Sequence, residues 1–144
     1  AEGIGTHVCI IGGSGVGIDM AMFMKEKGKE VTIIEMLGEV GGELSGHLKW
    51  HLKEKIETHE VKVLTSHRVI EITEEGVVAD FKGKIVKIKC DSVLGAIGFK
   101  RLDTSTMEAG LHKRGIETLV LGSSNGAGHC MDAIHAGYWN ALNV

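Results

Sequence analysis

Val8-Cys9-Ile10-Ile11-Gly12-Gly13-Ser14-Gly15-Val16-Gly17 opens a stretch that runs on to Val31-Thr32-Ile33-Ile34-Glu35. The first four residues form a β-branched and apolar strand, and the glycines that follow make a tight turn. Gly15 to Glu26 reads as a helix, stopped by Lys25, Lys27 and Gly28. A second strand then ends on an acid. This order, with the acid about 20 residues past the first turn glycine, is that of a nucleotide-binding βαβ unit. Small residues at Gly12 to Gly17 let backbone pass close to a pyrophosphate. The helix start offers unpaired N–H groups and a positive dipole end to phosphate charge. Gly17 lets the helix lie against the first strand, and Glu35 is placed to accept hydrogen bonds from ribose hydroxyls. Ser14 stands where a strict G-x-G-x-x-G has its second glycine. A turn of the same shape that binds nothing is the structural alternative.

Working outward, Met20, Ala21, Phe23 and Met24 supply an apolar helix surface for a sheet. Met20, Met22, Met24 and Met36 read as core packing. Leu44, Leu48, Leu52 and Ile56 recur every fourth residue and predict a second helix from Leu44 to Thr58 with one buried stripe. His47 and His51 share another face, but no third metal ligand accompanies them. Val61 to Leu64 reads as a third parallel strand. The rhythm then changes to three short strands, Val69–Ile72, Gly76–Asp80 and Lys84–Lys89, with Glu74-Glu75-Gly76 and Lys82-Gly83 as turns. They predict an antiparallel meander over 67–90. Ser92 to Gly98 returns as a buried strand whose small end residues leave room for a ligand. Thr104 to Leu111 is a short helix. A last strand, Thr118–Leu121, precedes a helix from Met131 to Asn143 with Ile134, Ala141 and Leu142 facing inward.

The fold class expected is therefore α/β, a Rossmann-like parallel sheet with a β-meander crossover. It forms a single nucleotide-binding domain over 1–144, with a core at 6–98 and a linker, extra strand and C-terminal helix at 99–144. With 144 residues, 43% of them hydrophobic, the chain can bury a proper core. A formal charge of −3 gives no electrostatic case for nucleic acid. No apolar run is long enough for a membrane span, and the first apolar run is too short for a signal peptide. Cys9, Cys90 and Cys130 show no zinc or redox spacing, which predicts plain thiols in a reduced, cytoplasmic setting. His129, Asp132 and His135 lie close together, but no nucleophile elbow accompanies them.

Ile11-Gly12-Gly13, Glu30-Val31-Thr32-Ile33-Ile34-Glu35-Met36-Leu37, Gly41-Gly42-Glu43-Leu44-Ser45 and Met131-Asp132-Ala133-Ile134-His135-Ala136-Gly137 carry a resemblance. Together with the meander and the Ala96-x-Gly98 strand end, they resemble the NAD(P)-binding domain of two-dinucleotide-domain flavoproteins. More narrowly, they are similar to the 2,4-dienoyl-CoA reductase and 2-enoate reductase family of NADH:flavin oxidoreductases. In that family an FMN barrel, an iron–sulfur cluster and an FAD domain accompany the NAD(P) domain. NAD(P)H reduces FAD, the cluster relays electrons to FMN, and FMN reduces an activated carbon–carbon double bond.

The resemblance implies that Gly12, Gly13, Ser14, Gly15, Val16 and Gly17 cradle the pyrophosphate. Glu35, with Met36 beside it, holds the adenosine ribose, and Asp19, Ala96 and Gly98 lie near the nicotinamide amide. With no arginine just after Glu35, NAD is favoured over NADP. The alternatives are a helix-dipole acid for Asp19 and tight strand packing for Ala96 and Gly98. Lys100-Arg101-Leu102-Asp103 replaces the family's Arg-Pro-Asn phrase, and Gly122-Ser123 its Gly-Asp. FAD thus belongs to an intact parent enzyme, with the FAD and FMN/iron–sulfur domains as partners. No catalytic or metal-binding residue is expected, since catalysis comes from the flavin, and the chain by itself is not expected to be active. The competing readings are a Rossmann-like module that no longer binds its cofactor, and a Rossmann methyltransferase, which explains the meander poorly. Left without the FAD domain, the Thr118–Leu121 strand is expected to dock beside Val93–Ala96 or swap into a second copy, which leaves a homodimer open.

Overall fold

The computed structural model describes residues 3–42, 44–126, 128 and 130–143, so Glu43 and His129 lie outside the described residues. The chain divides into two compact units, residues 1–98 and 99–144.

In the first unit, β1 (His7–Ile11), α1 (Gly15–Glu26), β2 (Glu30–Ile34), α2 (Gly46–Thr58) and β3 (Lys62–Leu64) come in order. The meander strands β4 (His67–Thr73), β5 (Gly76–Phe81) and β6 (Lys84–Lys89) follow, and β7 (Ser92–Gly95) closes the unit. The parallel sheet has the order β3-β2-β1-β7, and β4-β5-β6 form a separate antiparallel sheet. The expected α/β class with its meander crossover is the observed one.

Side-chain alternation explains the layering. On β1, Val8 and Ile10 join the core cluster that includes Ile18 and Ala21 of α1 and Leu52 and Ile56 of α2. Cys9 points to the other face, where it packs with Ile34, Val77 and Cys90 of the second cluster. Val31 and Ile33 of β2 face the helices, while Ile34 faces the meander. Both faces are covered, which is why these strands read as continuous apolar runs. Ile10, Ile18 and Ile33 are fully buried, and each contributes about 1.5–3 kcal/mol of transfer free energy.

Local chemistry sets the ends. Ser14 caps α1, its hydroxyl accepting from Gly17 N–H. At the other end Lys29 N–H donates to Met24 C=O at 3.1 Å and Gly28 N–H to Lys25 C=O at 2.9 Å. That pair of bonds is a Schellman motif, with Gly28 at φ +72°. Lys82 and Gly83 both have positive φ, as a two-residue hairpin turn between β5 and β6 requires.

Several expectations are corrected. Phe23 faces outward and lies under the Lys27 ammonium, while Ile18 and Met22 take the sheet-facing positions. Met36 is exposed on the loop after β2 rather than in the core. In the second helix Leu52 and Ile56 are buried but Leu48 is 46% exposed. Leu44 precedes the helix and packs against the core from the loop. A stripe of fourth residues drifts around a helix of 3.6 residues per turn, so its far end leaves the buried face. The returning strand stops at Gly95, with Ala96 to Gly98 outside the ladder. Asp19 is not a first-turn acid of α1.

The second unit holds α3 (Ser105–His112), a 3-10 turn at Gly122–Asn125 and α4 (Cys130–Ala141). Thr118–Leu121 forms no strand, and among the described residues the parallel sheet ends on β7. Ile134, Ala141 and Leu142 are exposed, and no residue of α4 is buried. Among the described residues no helix is long and apolar enough to cross a membrane.

Cys9, Cys90 and Cys130 are free thiols. Cys9 and Cys90, distant in sequence, are brought together in the cluster between sheet and meander. Burial, and then the hydrogen bond to the Cys90 thiol, push the Cys9 thiol up to about 12.

Candidate functional site

The carboxyl ends of β1, β2 and β7 open on a cavity of about 540 Å³, within the range of small-molecule sites. Its base is the turn after β1. Gly12 sits at φ +105°, a conformation that L side chains rarely adopt. A Cβ there would stand 2.3 Å from Ala96 C=O. Gly12 N–H donates to Ile34 C=O at 2.9 Å and Ala96 N–H to Ile11 C=O at 2.7 Å, so the turn is tied to both neighbouring strands. A Cβ on Gly17 would lie 2.0 Å from Gly12 C=O, so the helix start presses directly on the turn. The Ser14 hydroxyl lies 3.4 Å from both Gly17 N–H and Ala96 C=O, directed at backbone of the helix and of the segment after β7.

Glu35 stands at the end of β2 and is only 9% exposed. Its Oε2 accepts Gly13 N–H at 2.6 Å and its Oε1 accepts Leu37 N–H at 2.7 Å. These short, charge-assisted bonds fix the carboxylate without an ion pair among the described residues. Each oxygen retains a lone-pair site for a further donor. Gly41 N–H donates to Gly13 C=O at 2.7 Å and closes the loop over the turn. On that loop Glu39 pairs with Lys49 at 2.7 Å, and the ammonium holds its carboxyl below the usual range.

The cavity wall brings together Gly12, Gly13, Ser14, Glu35, Met36, Ala96 and Gly98 of the residues expected from sequence. Gly15, Val16, Gly17 and Asp19 are not on it. Gly15 to Gly17 form the first turn of α1, while Asp19 projects from an exposed face of the helix. Of the two residues expected near a nicotinamide, Ala96 is buried against the turn, as tight packing requires. A Cβ on Gly98 would meet open space, so packing does not explain that glycine.

One wall was missed. His67, Arg68 and Val69 begin the meander, and His67 N–H donates to Glu35 C=O at 2.9 Å. The chain reaches this place through Thr65 and Ser66, with Ser66 at φ +58°. The only sequence signal was the short gap between β3 and the next strand. Arg68 leans toward Asp80, its Nη2 3.9 Å from Oδ2. Among the described residues no group of three or more His, Cys, Asp or Glu could hold a metal ion.

Comparison with known proteins matches the chain to a family. Residues 1–120 match the pyridine nucleotide-disulphide oxidoreductase family. The chain is 32% identical to cinnamate reductase of Clostridium sporogenes over 146 aligned residues, covering 99% of this chain and 22% of that protein. It is 30% identical to NADH oxidase of Thermoanaerobacter brockii, covering 96% of this chain and 21% of that protein. Among solved structures, 2-naphthoyl-CoA reductase superposes with a TM-score of 0.78 at 29% identity, over 94% of this chain and 20% of that one. The chain thus spans about a fifth of the length of these relatives. It belongs to the pyridine nucleotide-disulphide oxidoreductase family, on its enoate and dienoyl-CoA reductase side.

Proposed function

We propose that this chain binds NADH in the cavity at the end of β1, β2 and β7, and positions its nicotinamide for a flavin in a larger oxidoreductase. The observation that carries the reading is the Glu35 carboxylate, held by Gly13 N–H and Leu37 N–H at the lip of the glycine turn. Two pre-oriented acceptors there suit the vicinal hydroxyls of an adenosine ribose. The glycine turn leaves no side chain between backbone and a pyrophosphate, and the Ser14 hydroxyl is engaged by backbone at Ala96 and Gly17. The α1 N-terminus adds its dipole, a favourable place for phosphate charge. Ala96 and Gly98, small and on the opposite wall, leave room for a nicotinamide ring.

When bound along Gly12 to Ser14 and Glu35, NADH would supply a hydride for the flavin of the parent enzyme. The chain's own residues bind and orient; none is needed as an acid or base. NADH is preferred to NADPH because the Glu35 carboxylate would face a 2′-phosphate. The name of one relative, NADH oxidase, agrees with that choice. For the parent enzyme's substrate the reading is an activated double bond reduced elsewhere in that enzyme, which the names of two relatives, cinnamate reductase and 2-naphthoyl-CoA reductase, support.

Calorimetric titration with NADH and, separately, NADPH tests the reading. Saturable NADH binding that weakens in Glu35→Ala supports it. No binding of either at millimolar ligand replaces it with a Rossmann-like module that has lost its cofactor.

A further inference from the structure

We propose that His67 reads the adenine base, its Nε2 accepting a hydrogen bond from the 6-amino group. The inference rests on the NADH reading of this cavity and adds a residue that discriminates among bases.

His67 lies next to the ribose-side acid, because its N–H bonds Glu35 C=O at 2.9 Å. His67, Arg68 and Val69 line the same cavity as Gly12 to Ser14 and Glu35, so with phosphates at the glycine turn and ribose at Glu35 we place the base at this wall. The ring is oriented twice. Its Nδ1 is 2.6 Å from Thr65 C=O, and its plane stacks on Phe81 with centroids 4.5 Å apart and 17° between planes.

The first contact also settles the tautomer. A carbonyl oxygen only accepts, so Nδ1 must carry the hydrogen. In the neutral ring Nε2 is then a bare acceptor, and it has no partner among the described residues. Arg68, the other polar side chain on this wall, offers only donors. Among the side chains of this wall Nε2 is thus the one acceptor, which suits adenine's 6-amino donor. Hypoxanthine has a carbonyl at the same position and would set oxygen lone pairs against the Nε2 lone pair. Sites built to bond one donor discriminate strongly against an analogue that lacks it.

The experiment titrates the full chain with NADH and with reduced nicotinamide hypoxanthine dinucleotide, in wild type and in His67→Phe, which retains a ring to stack on Phe81. Expected is at least tenfold tighter binding of NADH by wild type. His67→Phe should lose most of that ratio, by binding NADH more weakly and by binding the hypoxanthine analogue at least as well as wild type does, since the opposing Nε2 lone pair is gone. Equal wild-type affinities overturn the inference and leave the NADH reading standing. An unchanged ratio in His67→Phe overturns the assignment to this residue. Binding of neither dinucleotide by wild type overturns both readings.

Ring nitrogen NMR on wild type provides a check that needs no variant. The bare-nitrogen signal of Nε2 should shift on saturation with NADH and stay in place with the hypoxanthine analogue. A signal that assigns the hydrogen to Nε2 in the free protein also refutes the proposal.

Discussion

Glu35→Gln is the substitution that separates the architecture of the site from its ligand chemistry. Glutamine has the shape of glutamate, but only one end of its amide accepts. Both carboxylate oxygens now take backbone N–H groups, from Gly13 at 2.6 Å and Leu37 at 2.7 Å, on a side chain 9% exposed. In the variant one of those N–H groups faces an NH2 and is left unpaired, at a cost of about 1–3 kcal/mol. The surviving bond also loses its charge assistance, worth about 1 kcal/mol more. The sum, about 2–4 kcal/mol, is a large part of the 5–15 kcal/mol that holds an ordinary domain together. In urea, with a slope of about 2 kcal/mol per M, the unfolding midpoint should fall by about 1–2 M. Calorimetry on the same protein below its transition should show NADH affinity reduced about tenfold, the equivalent of 1.4 kcal/mol. A wild-type urea midpoint would refute the two-bond account of this carboxylate. A lowered midpoint with unchanged NADH affinity would refute its role at the ribose.

Other perturbations test neighbouring parts of the argument. Gly17→Ala places a Cβ 2.0 Å from Gly12 C=O, and should cost about 1–3 kcal/mol in urea unfolding and weaken NADH binding by displacing the turn. Ordinary stability in that variant would mean that α1 does not press on the turn as described. Asp91 accepts His7 N–H at 2.8 Å, and that bond, then the His7 ring, holds its carboxyl below the usual range. A depressed carboxylate stabilises above its unfolded value near 4 and loses that contribution as pH falls through the folded one. Asp91→Asn should therefore melt below wild type at neutral pH, with the gap closing in acid; a gap independent of pH contradicts this. The Cys9 thiol, raised to about 12, gives the opposite sign: its contribution is complete below about pH 8.5 and is lost as pH rises toward 12. Iodoacetamide at neutral pH should label exposed Cys130 and spare Cys9 and Cys90 until the protein unfolds. Labelling of Cys9 at the same rate as Cys130 would contradict its burial.

What local chemistry controls was legible along the chain. Strand β1, the glycine turn, α1 with its Gly28 stop, and Glu35 at the end of β2 lie within one contiguous run, and each is specified by neighbours a few residues away; the structure added that Ser14 caps α1. The meander was equally legible, because period-two alternation and two-residue turns are local signals. Tertiary structure alone decided which apolar residues find a partner. Leu48 and Phe23 sit on helices whose other faces meet the sheet, so hydrophobicity did not ensure their burial. Thr118–Leu121 has strand-forming residues but forms no strand among the described residues, because a strand exists only as one member of a pair and residue type does not supply the other. The far wall of the cavity belongs to the same class. His67 to Val69 carry no motif, and they reach the site because one backbone bond from His67 to Glu35 joins the end of β2 to the start of β4. Contacts between residues distant along the chain depend on how sheets and loops meet in three dimensions, which no spacing within a single segment records.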